Sequence, residues 1–195
     1  MDYLPLFHDL THKKCLVVGG GSVATRKIRL LMGAKADVTV ISPTLSEELI
    51  ALANAHDITH LNRHFNTGDT HQQQNIPVNV VDEPSLCTVI FPAIVDRSPI
   101  TIAISSGGVA PVLSRLTRGK LEALLPQNLG KVAQLGKQFR EAVKEKFSNT
   151  EQRRLFWEDI FDGPIADLSY QGKENLAETA LLNQLENTAD TLFIF

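Results

Sequence analysis

A short apolar run that stops at three consecutive glycines constrains this chain more than any other feature. Residues 15–18 are apolar and partly β-branched, which predicts a fully buried strand. Gly19, Gly21 and Ala24 then form the pattern G-x-G-x-x-A, and apolar residues follow at helical spacing from Val23. Strand, glycine turn and helix in this order predict a dinucleotide-binding unit, with a merely structural turn as the alternative.

Each position of this turn has a physical role in holding a pyrophosphate. Gly19 permits the tight turn, Gly21 lets the backbone approach the phosphates, and Ala24 keeps the helix close to the strand. Gly20 belongs to the same turn. The first N–H groups of the helix offer hydrogen bonds and a partial positive charge to the ligand.

The residues after the predicted second strand bear on the choice of nucleotide. Residues 37–41 complete a β-α-β unit, and the chain continues as Ser42-Pro43-Thr44. A carboxylate often binds the ribose hydroxyls here, and the hydroxyls and backbone of Ser42 and Thr44 could serve instead. No Arg stands there to receive a 2′-phosphate, so the sequence favours NAD over NADP.

Composition excludes several classes of protein. At 195 residues, with 43% hydrophobic and 21% charged residues, the chain fits one large or two small globular domains. A formal net charge of −3 favours neither nucleic acid nor an anionic membrane as the main partner. We expect no signal peptide, because the first residues lack a basic region, and residues 86–95 are too short an apolar run to cross a bilayer. We expect a cytoplasmic protein whose two cysteines, Cys15 and Cys87, are reduced and buried as small hydrophobic side chains.

The sequence next predicts a helix over residues 46–55, with Ser46 as its N-cap and with Leu49 and Ile50 packing inward. A strand is predicted over residues 58–65. The histidines at 56, 60 and 64 have a spacing that would suit a metal site on a helix. The strand pattern makes them surface residues instead, and no Cys or carboxylate completes a ligand set. We therefore expect no resident metal.

Asp82 follows a polar loop and an apolar run. Residues 66–75 are predicted to form the loop, and residues 76–82 another buried strand. Ligands of open α/β sheets bind at the carboxyl ends of strands, so Asp82 is well placed for chemistry. A turn-forming Asp ahead of Pro84 explains the same residues equally well, and the sequence leaves both interpretations open.

Two more strands are predicted at 91–95 and 100–104, joined as a hairpin or by a crossover to a new sheet. Small residues at 105–111 precede a helix over 112–124, and such a segment can bind an anion through backbone N–H groups. Arg115, Arg118 and Lys120 lie on this helix. The arginines are either anion ligands or part of a solvated face.

The remaining pattern is helical, over 129–147, 151–161 and 175–185. The core candidates of these helices are Phe139, Phe147, Leu155, Phe156 and Trp157. We also expect residues 4–7 to pack beside the first strand, and the apolar residues 191–195 to contact a partner domain or subunit.

Several separate motifs occur together in one order. They are Leu4-Pro-Leu-Phe7, Cys15-Leu-Val-Val-Gly-Gly-Gly-Ser-Val-Ala24, Asn79-Val-Val-Asp82, Phe91-Pro-Ala-Ile-Val-Asp-Arg-Ser98, Ser105-Ser-Gly-Gly108, Pro111-Val-Leu113 and Leu124-Leu-Pro126. With them, the chain resembles the precorrin-2 dehydrogenase/sirohydrochlorin ferrochelatase module of siroheme synthase. The resemblance implies an α/β fold with a Rossmann-like parallel sheet in an NAD-binding domain (1–90). A dimerisation segment (91–123) and a small helical C-terminal domain (124–195) follow.

The sequence departs from this family at two places. Full siroheme synthases continue into a uroporphyrinogen methyltransferase domain, which this sequence does not reach, so we expect a stand-alone module or a fragment. Between Phe65 and Asn79 the chain is shorter by about twenty residues, the size of one strand–helix unit. A true deletion there would weaken NAD binding without touching the glycine turn or Asp82.

The resemblance implies two reactions in one pocket. Precorrin-2 transfers a hydride to NAD⁺ to give sirohydrochlorin, and Fe²⁺, a substrate, then displaces two pyrrole protons to give siroheme. By family position, Asp82 is the general base of both steps. The same correspondence assigns NAD contacts to Ser22, Val23, Pro43 and Thr44.

Substrate binding, regulation and assembly are implied in the same way. Positive and small polar groups would bind the carboxylates of the macrocycle, and the candidates are Arg97, Ser105, Arg115, Arg118 and Lys120. Ser106 matches a serine that is phosphorylated in the family, where the added charge would inhibit. The implied assembly is a homodimer formed through residues 91–123.

Three other functions compete with this interpretation. A short-chain dehydrogenase would need a Tyr-x-x-x-Lys pair, which neither Tyr3 nor Tyr170 provides. A non-catalytic dimer that responds to NAD(H) would bind the nucleotide without needing Asp82. A dehydrogenase without chelatase activity is the third, and the sequence does not separate it from the bifunctional enzyme.

Overall fold

The computed structural model describes residues 4–69 and 77–188. The chain divides into two compact units, residues 1–77 and residues 78–195. Of the described residues, those of the first unit form a parallel sheet with two helices, and those of the second form an antiparallel hairpin and five helices. None of the described helices has the length and apolar character needed to cross a membrane.

A three-stranded parallel sheet organises the first unit. Its strands are β1 (Lys14–Val18), β2 (Asp37–Ile41) and β3 (Thr59–Leu61), in the order β1-β2-β3. Helix α1 (Ser22–Gly33) connects β1 to β2, and α2 (Glu47–Asn54) connects β2 to β3. The predicted β-α-β unit is confirmed, and parallel pairing brings the carboxyl ends of all three strands to one edge.

Apolar side chains of the helices pack against β2. Ile28 of α1, Val40 of β2 and Leu49 of α2 are completely buried. Ser46 caps α2 as predicted, its hydroxyl accepting a hydrogen bond from the Leu49 N–H at 3.4 Å. Ile50 is 47% exposed, so its predicted packing is wrong, because the next helical position points about 100° away from Leu49.

Two segments that were predicted to be buried are exposed. Leu16 and Val18 of β1 are 41% and 52% exposed, because β1 is an edge strand whose described neighbour is β2 alone. Leu6 and Phe7 are more than 70% exposed, so the predicted packing of residues 4–7 beside β1 is wrong. Apolar composition shows that both segments are hydrophobic, but it does not show how much of each segment the rest of the fold covers.

A charged loop follows β3. The Arg63 guanidinium donates to both carboxylate oxygens of Asp69, at 2.9 and 2.7 Å, and the Asn66 N–H donates to the same group at 2.8 Å. A single 3₁₀ turn (Thr67–Asp69) closes this loop. Residues 70–75 of the predicted loop and Ile76 of the predicted strand lie outside the described residues.

The second unit begins with a closed loop instead of the predicted strand. The Val78 N–H donates to Thr88 Oγ1 at 2.7 Å, and the Val80 N–H donates to Cys87 Sγ at 3.2 Å. The strand predicted over 76–82 is therefore wrong for residues 77–82, because their backbone groups bond to the far end of the same loop. That far end includes a 3₁₀ turn, Pro84–Leu86.

An antiparallel hairpin comes next. Strands β4 (Ala93–Arg97) and β5 (Ile100–Ile104) pair directly, which decides between the predicted hairpin and crossover. Helix α3 (Pro111–Leu124) follows and packs on the hairpin. Arg97 is buried and donates to the carbonyl oxygens of Glu122 (3.1 Å) and Pro126 (3.2 Å), so it ties β4 to the end of α3.

Four further helices share one apolar core. They are α4 (Leu129–Lys146), α5 (Thr150–Phe161), α6 (Pro164–Tyr170) and α7 (Glu174–Asn187). Phe139, Phe147 and Phe156 are buried there as predicted, and Trp157 packs against them half-buried. Helix α6 is not among the predicted helices; it begins at Pro164, and Pro suits the first turn of a helix. The predicted contacts of residues 191–195 lie outside the described residues.

Candidate functional site

The glycine turn lies between β1 and α1, at the carboxyl edge of the parallel sheet. Gly19 has φ +104°, a conformation that side chains disfavour, and its N–H donates to the Ile41 carbonyl at 2.9 Å. The bond holds the turn against the end of β2. The positive φ explains why glycine is needed at the first position of the motif.

Gly20 needs glycine for a different reason, which is close packing. A Cβ at this position would lie 2.1 Å from the carbonyl oxygen of Thr44, well inside contact distance. The backbone after β2 therefore lies directly against the glycine turn. The Ser46 N–H strengthens the contact by donating to the Gly20 carbonyl at 2.8 Å.

Gly21 faces open space instead. It is the N-cap residue of α1 with φ −86°, and no side chain of the described residues caps the helix there. A Cβ at Gly21 would meet no described atom within 4 Å. The first turn of α1, Ser22 to Ala24, also carries no acidic side chain, so its N–H groups and positive dipole end suit an anion.

The loop after β2 is hydrogen-bonded within itself and partly buried. Ser42 is 5% exposed and its hydroxyl donates to the Thr44 carbonyl at 2.6 Å, so this hydroxyl is engaged within the loop. His60 Nε2 lies 2.9 Å from the Ser42 carbonyl oxygen. Pro43 and Thr44 are exposed. Pro43 and Thr44 are therefore the accessible residues among the three NAD contacts predicted in this loop.

Asp82, the predicted catalytic residue, lies in an exposed turn of the second unit. Its φ of +59° is left-handed, a conformation that Asp adopts more readily than most residues. The neighbouring Ser85 hydroxyl donates to Glu83 Oε1 at 2.5 Å. This geometry agrees with the interpretation of Asp82 as a turn-forming residue. The carboxylate is also exposed, so it remains accessible to a substrate.

The serine- and glycine-rich segment before α3 closes on itself. Ser105 Oγ accepts from the Gly107 N–H at 3.1 Å, and Ser106 Oγ accepts from the Ala110 N–H at 2.9 Å. Ala110 is the N-cap residue of α3. These bonds use N–H groups that the sequence suggested for an anion.

The four predicted cationic residues have different surroundings. Arg97 is committed to backbone carbonyls, as described for β4. Arg118 Nη1 lies 3.4 Å from Glu122 Oε2, one helical turn away. Arg115 and Lys120 are exposed on α3. The cations accessible to an acidic ligand are therefore Arg115 and Lys120, with Arg118 partly neutralised.

The cysteines are free, and both are half-buried and not buried as predicted. Burial and the nearby Asp37 carboxylate raise the pKa of the Cys15 thiol, which disfavours the reactive thiolate. Across residues 4–69 and 77–188, no three His, Cys, Asp or Glu side chains cluster in a way that could hold a metal ion.

Three family models match successive parts of the chain. A putative NAD(P)-binding model matches residues 6–71, and a model of the sirohaem biosynthesis protein central region matches residues 97–124. A model of the sirohaem synthase dimerisation region matches residues 128–185. The chain corresponds to the N-terminal module of siroheme synthases. The resemblance inferred from the motifs is thus confirmed.

Relatives within the siroheme synthase family are longer than this chain. The siroheme synthase of Vesicomyosocius okutanii subsp. Calyptogena okutanii (strain HA) is 46% identical over 212 residues, which cover 97% of this chain and 46% of that protein. The siroheme synthase of Ruthia magnifica subsp. Calyptogena magnifica is 46% identical over 213 residues, covering 98% and 45%. The chain thus spans less than half the length of these relatives. Both matches are longer than its 195 residues, in agreement with a chain shortened inside the matched region.

A solved structure shares the fold. It is SirC, precorrin-2 dehydrogenase, with a TM-score of 0.69 and 20% sequence identity over 95% of this chain and 100% of that one. The α/β class with a Rossmann-like sheet and a helical region is therefore confirmed. The division at residues 90 and 123, with dimerisation assigned to 91–123, stays a prediction. The siroheme synthase model that is named for dimerisation matches the helical residues 128–185.

Sequence reasoning missed one feature of this site. Thr25, on the first turn of α1, is buried and bonds to both the glycine turn and Ser46. A polar residue directly after the G-x-G-x-x-A motif, where apolar packing is expected, was the available signal.

Proposed function

We propose that this siroheme synthase chain catalyses NAD-dependent dehydrogenation of precorrin-2 and insertion of Fe²⁺ into the product, sirohydrochlorin. The glycine turn carries the proposal. Gly20 fits only as glycine against Thr44, and the uncapped first turn of α1 is open to a pyrophosphate. The identity to siroheme synthases and the fold shared with a precorrin-2 dehydrogenase support it.

NAD is the proposed dinucleotide. The backbone N–H groups of Ser22, Val23 and Ala24 would hold its pyrophosphate, and Pro43 and Thr44 would contact its adenosine ribose. When bound, NAD⁺ supplies the acceptor for the hydride that leaves precorrin-2. The absence of a basic residue at positions 42–44 supports NAD over NADP.

Asp82 is the proposed general base. Dehydrogenation removes a hydride and a proton from precorrin-2, and insertion of Fe²⁺ releases two protons from pyrrole nitrogens. An exposed carboxylate can accept these protons one at a time and return them to water. The assignment rests on the resemblance, and the exposure of Asp82 supports it.

The acidic macrocycle calls for cations near its carboxylates. Arg115 and Lys120 are the exposed candidates on α3, and we assign them first. Arg97 and Arg118 have carbonyl and carboxylate partners already. Ser105 and Ser106 precede the same helix, and a phosphate on Ser106 would repel the substrate.

We also propose that the chain is a homodimer. Helix α3 exposes Val112, Leu113 and Leu116 by more than half of their surface, and such a contiguous apolar face suits a subunit interface. The match of residues 128–185 to a dimerisation model supports assembly of this kind. Sedimentation equilibrium measures it directly.

Absorbance spectroscopy tests the catalytic proposal. Purified protein is mixed with precorrin-2 and NAD⁺, and Fe²⁺ is added afterwards. We expect NADH and sirohydrochlorin first and siroheme after the iron. Asp82→Asn, which keeps a residue that tolerates left-handed φ, should abolish turnover and retain NADH binding. Asp57→Asn, another exposed turn carboxylate, should leave both unchanged.

The outcomes separate the competing functions. Sirohydrochlorin without siroheme would indicate a dehydrogenase alone. Binding of NADH without any turnover by the unsubstituted protein would favour a non-catalytic, NAD(H)-responsive dimer. Full activity in Asp82→Asn would refute its role as the base.

A further inference from the structure

A buried hydroxyl pair connects the glycine turn to the start of α2. Thr25 is 6% exposed, and its Oγ1 donates to the Gly21 carbonyl at 3.1 Å. The same oxygen lies 3.0 Å from Ser46 Oγ. The two hydroxyls thus join segments that are 21 residues apart in sequence.

The direction of each bond follows from proton counting. A hydroxyl has a single hydrogen, and a carbonyl can only accept, so the Thr25 hydrogen goes to Gly21. Ser46 must therefore donate to Thr25. Ser46 Oγ in turn accepts from the Leu49 N–H at 3.4 Å, so both hydroxyls have donor and acceptor partners.

The Gly21 carbonyl is the point at which this chain of bonds ends. It also accepts from the Thr25 N–H at 3.0 Å. Because a peptide group is planar and trans, fixing the Gly21 carbonyl fixes the direction of the Ser22 N–H on the other side of the bond. This N–H is the first of those available to a pyrophosphate at the start of α1.

Ser46 links the same turn to the ribose side of the site. Ser46 lies two residues after Thr44, and its N–H donates to the Gly20 carbonyl at 2.8 Å. The turn for the pyrophosphate and the loop for the ribose are consequently held at a fixed separation. A dinucleotide contacts both groups at once, so a shift of either one weakens binding.

We propose that Thr25 and Ser46 form a positioning pair that presets the pyrophosphate-binding turn for the dinucleotide. The inference rests on the proposed NAD-dependent function. The pair acts through the orientation of the Gly21–Ser22 peptide.

Substitutions that remove only the hydroxyl test the pair. Thr25→Val should raise the dissociation constant of NADH and the KM for NAD⁺ by about threefold to tenfold, the effect of one neutral hydrogen bond, with kcat within about twofold of the original. Thr25→Ser keeps the hydroxyl and should restore binding. Thr25→Val combined with Ser46→Ala should weaken binding less than the product of the two single effects, because the bond is already lost.

Thr179→Val is the matched control. Thr179 Oγ1 donates to the Asn175 carbonyl one turn back in α7, at 2.9 Å, so the variant loses a similar local bond in the second unit. It should leave NADH binding unchanged. Nucleotide affinity is measured by NADH fluorescence, with thermal unfolding recorded for every variant.

Three results would overturn the proposal. Unchanged NADH affinity in Thr25→Val is one, and equal weakening in Thr25→Ser and Thr25→Val is another, since it would point to the methyl group. Absence of NADH binding in the unsubstituted protein would overturn this proposal and the proposed function together. NADH binding without precorrin-2 turnover refutes the proposed function alone and leaves this test valid.

Discussion

Two turns of small residues precede helices in this chain, and they satisfy their backbone groups in opposite ways. The segment before α3 uses its own serines, since Ser105 and Ser106 accept from the N–H groups of Gly107 and Ala110. The glycine turn before α1 has no such side chain and is held from outside by Thr44, Ser46 and Thr25.

The difference shows which turn is suited to a ligand. Neither helix has a side-chain cap. The serines before α3 nevertheless engage two N–H groups of their own segment, and Pro111 at the start of α3 has no N–H, so fewer N–H groups are left for a ligand there than before α1. Both segments look alike as sequence, because small residues before a helix are common to them. We therefore expect the turn before α1, and not the segment before α3, to bind the phosphates.

Alanine substitutions in the glycine turn give the largest expected effects and separate packing from binding. Gly20→Ala forces a Cβ against the Thr44 carbonyl and should cost about 1–3 kcal/mol of unfolding free energy together with most NADH affinity. Gly21→Ala meets no described atom, so stability should be kept while NADH affinity falls by about tenfold or more. Chemical denaturation and NADH fluorescence measure the two properties.

Gly33→Ala is the control for this series. Gly33 ends α1 with open space around its Cβ position, so alanine should leave NADH binding unchanged and stabilise the helix by about 0.5–1 kcal/mol. If Gly21→Ala bound NADH as tightly as the original protein, the glycine turn would not be the pyrophosphate site.

The serine-rich segment before α3 predicts the reverse pattern. Ser106→Ala removes the acceptor of the Ala110 N–H and should lower stability by about 1 kcal/mol, with NADH affinity unchanged. Ser106→Asp, which imitates the charge of a phosphate, should reduce precorrin-2 turnover. Unchanged turnover in Ser106→Asp would contradict the regulatory assignment, and weakened NADH binding in Ser106→Ala would contradict the contrast between the turns.

A third turn, held by charge, should give the smallest effect, and this effect depends on pH. Hydrogen bonds from Arg63 and the Asn66 N–H lower the pKa of Asp69 to about 2. The pKa of Asp69 in the folded chain lies below the unfolded value of 3.8, so ionised Asp69 stabilises the folded state. This stabilisation is present above about pH 4 and is lost as the pH falls towards 2.

Arg63→Ala should move the pKa of Asp69 back towards 3.8, in part only, since the Asn66 bond persists. NMR titration of the Asp69 carboxyl group measures the shift. Arg26→Ala, a substitution on α1, serves as the control and should leave Asp69 unchanged. A pKa near 2 in Arg63→Ala would show that the backbone bond, and not the ion pair, sets the titration.

Local patterns were sufficient for the order of the strands and helices in the first unit, although the strand predicted over 58–65 extends only over Thr59–Leu61. Alternation and glycine placement located β2 at its observed residues, and the Ser46 cap located the start of α2. The turn at residues 19–21 was also predicted, because the spacing of its glycines is typical of a dinucleotide-binding turn. What the sequence could not show was the support of that turn, since Thr25 and Ser46 are distant in sequence.

The failures have a common physical origin. A strand needs a neighbour, and residues 77–82 have the apolar character of a strand while their backbone bonds to Thr88 and Cys87. Likewise, burial of Leu16 depends on how many strands lie beside β1, which composition does not state. The bonds of Arg97 were not predicted for the same reason, because its carbonyl partners, Glu122 and Pro126, lie 25 and 29 residues further along the chain.

The contrast between Gly20 and Gly21 has an evolutionary consequence. Selection for folding acts on Gly20, where any side chain collides with Thr44. Selection for the ligand acts on Gly21, where the folded chain itself has room to spare. A related protein that no longer bound a nucleotide would therefore keep glycine at the position of Gly20 and could lose it at the position of Gly21. Glycine at both positions thus indicates that nucleotide binding is still under selection.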